Sequence, residues 1–186
     1  MFGQRFPHTL LLVHMNHLAL ARSATLLLLS PLCALAAGPV VVERIANRLE
    51  PLPYEATKID GLLGDRMRVN LEGRLQHVDV EGILRGFENR PGTQPWIGEH
   101  VGKFLHAAGN TYRYTHDPKL LEVMRGVAQR FIATQMADGY LGTYSLENRW
   151  TSWDVWVQKY SIIGLITYYD VSGDERALAA ARRVGE

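Results

Sequence analysis

"WIGEHVGKFLHAAGNTYRYTHDPKLLEVMRGV", residues 96–127, decides the fold when it is set beside "WDVWVQKYSIIGLITYYDVSGDERALAAARRV", residues 153–184. The two stretches match at an offset of 57. Trp96 meets Trp153, Tyr112 meets Tyr169, and Asp117 meets Asp174. Leu121 meets Leu178, and Val127 meets Val184. Within the first stretch, Val101, Phe104, Leu105 and Ala108 fall at i, i+3, i+4 and i+7, one face of a helix. Asp117 followed by Pro118 is a helix start, a capping carboxylate and then a proline where no N–H is needed. Leu120, Leu121, Met124, Val127, Ala128, Phe131 and Ile132 continue that second helix, and Asp138-Gly139 ends it. The second stretch repeats the plan. Trp153 to Tyr169 is apolar on more than one face and is expected to be well buried. Asp174 caps a fourth helix, with Ala177, Leu178, Ala181 and Val184 as its stripe. The fold class is therefore all-α, an array of helical hairpins that stacks as a solenoid or closes as a toroid.

Earlier segments are less regular. "LLGDRMRVNLEGRLQHVDVEGILRGF" is mostly helical, with Leu63, Met67 and Leu71 four apart, and "ENRPGTQPW" is a loop by its Pro and Gly content. Residues 37–60 are punctuated by proline and read as an extended entry segment. Residues 1–36 read as a signal peptide. Arg22 precedes an apolar run from Ala24 to Leu35, and Ala34-Leu35-Ala36 has the small-x-small form of a cleavage site. Met15 is an alternative start. The run is too short to span a membrane, which takes about 20 residues. The single cysteine, Cys33, lies inside it and follows Leu32 rather than a small residue, so no lipid anchor is expected. The expected location is secreted or periplasmic, with no membrane association once the signal is removed.

A formal net charge of +1 and the lack of any Lys/Arg run argue against nucleic acid as a partner. The chain has no GxGxxG, P-loop, HExxH, CxxC or GxSxG motif. The histidines outside the signal, His77, His100, His106 and His116, lack ligand spacing, so no metal site and no cofactor are expected. What remains is three clusters. Trp96, Glu99, His100 and Lys103 open one helix. Glu99 and Lys103 also suit an ordinary i, i+4 pair, and His100 a structural histidine. Asp138 and Tyr140 lie in "DGYLGTY", which is either a plain turn or a loop at a pocket edge. Trp153, Asp154 and Tyr160 open the third helix, where Trp156 is expected in a buried aromatic cluster. Tryptophan and tyrosine offer broad apolar faces with a polar handle, which suits the C–H faces of sugars. Carboxylates, amines and imidazoles suit the hydroxyls. Glu99, Asp138 and Asp154 are carboxylates of the type that glycoside hydrolysis needs in pairs. One shared pocket bordered by Trp96, Glu99, His100, Tyr140, Trp153 and Asp154 is the expected arrangement.

"PWIGEHVGKFLHAA", "ATQMADGYLGTY" and "RWTSWDVWVQKYSIIGLITYYDVSGDERAL" resemble the β-L-arabinofuranosidase-like glycoside hydrolases, family 127 and its relatives. The resemblance runs from about Gly61 to the end. It implies that residues 61–186 are the N-terminal portion of a catalytic domain, part of an (α/α)6 toroid with its active site at one mouth. It implies carbohydrate as the partner, and taken with the three clusters it makes Trp96, Glu99, His100, Lys103, Asp138, Tyr140, Trp153, Asp154 and Tyr160 the expected substrate-binding residues. In the family, the helix matched by Trp153 to Tyr160 carries sugar-contacting histidines. Trp153 and Tyr160 stand in those places here, so the sugar specificity is expected to differ. The family's catalytic cysteine and zinc-binding glutamate and cysteines lie further along the chain than anything matched here. Zinc is implied only for a full-length homologue, and the expectation is a fragment with substrate-binding residues and no catalytic set. The competing expectation is a noncatalytic helical-repeat module that binds a glycan or a protein.

Overall fold

A computed structural model describes residue 49 and residues 52–186. The expected signal peptide, and most of the expected entry segment, lie outside the described residues. Six α-helices follow one another, α1 (Gly61–Gly73), α2 (Val80–Glu88), α3 (Glu99–Thr115), α4 (Pro118–Ala133), α5 (Asp154–Ser172) and α6 (Glu175–Gly185). Short 3-10 turns occur at Tyr54–Ala56, Leu75–His77 and Leu146–Asn148. No strand occurs among the described residues.

Two hairpins, α3–α4 and α5–α6, carry the repeat. Their turns are built alike. His116 and Gly173, equivalent at the offset of 57, close α3 and α5 in the left-handed conformation (φ 49° and 69°). The next residue then caps the return helix. The Asp117 carboxylate accepts from Leu120 N–H at 2.7 Å, and that of Asp174 from Arg176 N–H at 3.1 Å. A cap of this kind contributes about 1 kcal/mol. A fully buried leucine or phenylalanine contributes about 1.5–3 kcal/mol. The caps therefore set the boundaries, while the buried stripes hold the helices in place. Val101, Phe104, Leu105 and Ala108 of α3 are buried, as are Leu120, Met124, Val127, Ala128 and Phe131 of α4. The α2 residues Leu84 and Phe87 complete this core, Phe87 meeting Phe131 edge-on at 4.8 Å.

The hairpins join through α3 and α5, which run parallel. Glu99 meets Trp156 near their N-termini, His106 meets Thr167 midway, and Arg113 meets Asp170 near their C-termini. Both end contacts link residues 57 apart. Glycines make the approach possible. A Cβ on Gly102 would lie 2.0 Å from the Tyr160 carbonyl oxygen, and one on Gly164 would lie 2.7 Å from the Gly102 Cα.

The expected burial of α5 needs correcting. Its enclosed face is made of Asp154, Val157, Gln158, Ser161, Gly164, Leu165, Thr167 and Tyr168. Val155, Trp156 and Ile166 are exposed. α3 and α6 cover only part of the helix, so its apolar excess is left on an open side.

Candidate carbohydrate-contacting site

The parallel run of α3 and α5 brings equivalent ends together, and with them four aromatic rings. Trp96, just before α3, meets Trp153, the residue before α5, edge-on at 6.3 Å. Trp153 meets Trp156 at 5.8 Å, and Trp156 meets Tyr160 at 5.3 Å. All three contacts are edge-to-face, the favoured geometry for rings with a negative face and a positive rim. The ladder is open to solvent, with Trp96 42%, Trp153 44% and Trp156 38% exposed. Trp156 is thus a rung of a surface ladder and not part of a buried cluster.

Charges flank the ladder. Glu99 accepts from the Trp156 indole N–H through one oxygen and from Lys103 Nζ, at 2.6 Å, through the other. Burial pushes the Glu99 carboxyl up, but the hydrogen bonds from Lys103 and Trp156 outweigh it and hold it below the ordinary carboxylate value. Lys103 Nζ lies 4.9 Å from the Tyr160 ring centroid, and Lys159 Nζ lies 3.3 Å from that of Trp156. Five of the sequence candidates therefore come together: Trp96, Glu99, Lys103, Trp153 and Tyr160. Trp156 and Lys159 join them. Only the parallel packing of α3 and α5 shows that these two belong.

Asp138, Tyr140 and Asp154 form a different assembly. Tyr140 is 4% exposed and Asp154 is fully buried. The Tyr140 hydroxyl donates to Asp154 Oδ1 at 2.8 Å and accepts from Tyr144 N–H at 3.0 Å. Asp154 Oδ2 accepts from Trp150 N–H at 2.8 Å. The Arg149 guanidinium covers the Tyr140 ring at 3.8 Å and donates to Asp138 Oδ2 at 2.6 Å. That hydrogen bond, followed by one from Tyr140 N–H, holds the Asp138 carboxyl below its usual value. Gly139 turns the chain at φ 88°, and a Cβ there would strike the Arg183 carbonyl. Leu141 and Thr143 are buried as well. The "DGYLGTY" loop therefore plugs the joint between the hairpins, and the mostly buried Tyr140, with Asp138, Arg149 and Trp150, lines a small concavity of about 200 Å3. The physical reason is local. Asp154, at the first turn of α5, points inward to the loop and draws the phenol in with it.

His100 goes a third way. It lines a cavity of about 540 Å3 between α3 and the segment that links α1 to α2, together with Arg74, His77, Asp79 and Lys103. The single pocket expected from the sequence is thus resolved into three neighbouring features: an open ladder, a buried lock and a lateral cavity. Lys103 belongs to both the ladder and the cavity. Arg74 and His77 carry no motif that would have marked them in the sequence.

The sequence profile described as "Beta-L-arabinofuranosidase, GH127 catalytic domain" matches residues 62–186. The chain belongs to glycoside hydrolase family 127. A solved structure titled a GH127 beta-arabinofuranosidase superimposes with a TM-score of 0.55 at 18% sequence identity. That match covers 72% of this chain and 26% of the other, so this family 127 chain spans about a quarter of its structural relative's length. At this identity the likeness speaks for the fold alone. No curated protein matches the chain.

Proposed function

We propose that this chain forms part of the sugar-binding surface of an exported glycoside hydrolase that acts on arabinose-containing glycans, and that it supplies binding groups and not the acid/base pair. The observation that carries this is the open ladder Trp96–Trp153–Trp156–Tyr160 at the equivalent ends of two parallel helices. Its exposed faces suit the C–H face of a furanose ring, and Glu99, Lys103 and Lys159 stand beside it for the hydroxyls. Family membership supports carbohydrate as the ligand class.

The carboxylates fit binding better than proton transfer. A general acid needs a pKa near the working pH. Glu99 and Asp138 are both shifted the other way, by Lys103 and Trp156 and by Arg149 respectively. Asp154 is enclosed by its own donors. The retained roles are hydrogen bonding by Glu99 and Lys103 at the ladder and scaffolding by Asp138, Tyr140 and Asp154.

Calorimetric titration of the chain with an arabinofuranosyl oligosaccharide tests this. Binding is expected, and Trp153→Ala should weaken it about tenfold through loss of one stacking face. Equal affinity of the variant, or no binding to any pentose oligosaccharide, overturns the ladder as the site. Release of free arabinose by the chain alone overturns the assignment of binding without catalysis.

A further inference from the structure

The lateral cavity has a chemistry that the ladder lacks. Arg74, His77, His100 and Lys103 all line it, and Asp79 is the only acid among its lining residues. That acid is already engaged, since one of its carboxylate oxygens accepts from Gly82 N–H at 2.9 Å to cap α2. Among the described residues, no carboxylate pairs with Arg74 or His77, and the His100 ring has no hydrogen-bond partner. Lys103 is shared with Glu99 at the ladder side. Leu75 and Phe104 supply an apolar floor. A volume of about 540 Å3 lies within the range of small-molecule sites and is ample for one sugar ring.

An unpaired guanidinium, Arg74, facing a half-enclosed hollow beside the imidazoles of His77 and His100 and the ammonium of Lys103 calls for an anion, because charge-assisted hydrogen bonds are the strongest that such a group can make. Its position next to the ladder says which kind. We propose that the cavity holds the carboxylate of an acidic sugar, a uronic acid residue, while the neighbouring neutral ring of the same glycan lies on the ladder. This rests on the carbohydrate reading of the ladder. Arg74 is the principal charge partner, with a flat fork of donors that fits both oxygens of a carboxylate. His77 and His100 supply further donors, and Lys103 stands where the two rings would join. The substrate class is then an acidic glycan and not a neutral arabinan.

The test uses an oligosaccharide with a pentose beside a uronic acid, and the same compound with its carboxylate methyl-esterified. The free acid should bind about tenfold more tightly than the ester. Arg74→Gln should erase that preference. Arg85→Gln removes the same charge from the exposed side of α2, outside the cavity, and should leave the preference intact. If acid and ester bind equally, the cavity assignment is wrong while the ladder stands. If neither binds, the carbohydrate reading falls and takes this inference with it. Inorganic phosphate at matched ionic strength should not displace the free acid. Displacement would make the cavity a general anion site and overturn the sugar-acid assignment.

Discussion

Tyr140 shows how much one side chain can hold. Its hydroxyl sits between the Asp154 carboxylate and Tyr144 N–H, under the Arg149 guanidinium. Burial first, and then the Asp154 carboxylate, push its pKa well above the ordinary tyrosine value of 10.0. A group whose pKa is raised by folding gives its full stabilisation below the unfolded value and loses it as pH rises through the folded one. Stability should therefore fall as pH climbs past about 10. Urea midpoints measured between about pH 8 and pH 11 will show this decline. Tyr140→Phe should cost about 1–3 kcal/mol at neutral pH, since Asp154 loses a donor and Tyr144 N–H an acceptor. It should also make the alkaline decline shallower. Some slope remains, because burial raises Tyr168 as well. A decline identical in the variant would show that Tyr140 does not titrate with unfolding.

At the level of elements, the α3–α5 contact is the joint of the unit, and glycine makes it. With a Cβ at Gly102 only 2.0 Å from a carbonyl oxygen, alanine cannot fit unless the helices part. Overpacking of this kind costs about 1–3 kcal/mol, and backbone cannot swing aside as a flexible side chain can. Gly102→Ala should therefore destabilise the chain by about 2 kcal/mol or more. Gly126, on the exposed side of α4, has nothing within 4 Å of its Cβ position. Gly126→Ala should stabilise by about 0.5–1 kcal/mol, through helix propensity alone. Thermal melts of the two variants give opposite shifts if the joint is real. A neutral Gly102→Ala would mean that α3 and α5 are not so closely packed.

For the whole molecule, the repeat points to the face of α5 that is left open. The α3 residues Gly102, His106 and Gly109 face α5. Moved on by 57, they become Lys159, Ile163 and Ile166 of α5. Ile166 is 40% exposed and Val155, on the same helix, 60% exposed. Contiguous apolar surface of more than a few hundred Å2 favours association. The chain should self-associate with rising concentration in sedimentation velocity, and Ile166→Glu should shift it toward monomer. A parent chain that stays monomeric throughout would show that these side chains do not form an effective patch.

The hairpins were legible in the sequence because helix periodicity and capping are local. Val101 to Ala108, the Asp117-Pro118 start and the Asp174 cap each depend on neighbours within a few residues. The offset of 57 was equally legible, and it proved to be the spacing of the two contacts at the ends of the α3–α5 pair. Trp96, Glu99, Lys103, Trp153 and Tyr160, which the sequence placed in two separate clusters, lie together because the same offset sets them at one end of the pair. The tertiary structure alone decided the rest. Asp154 and Trp153 are adjacent in sequence, yet one is buried against Tyr140 and the other is open beside Trp96. Nothing in their types or spacing distinguishes inward from outward at a helix start. That choice follows from where the "DGYLGTY" loop passes and from how closely two glycines let the helices approach. The same holds for His100 and Arg74, which line one cavity only because the segment after α1 folds back against α3. Sequence sets the period of a helix, but the direction of each face depends on what the rest of the chain places against it.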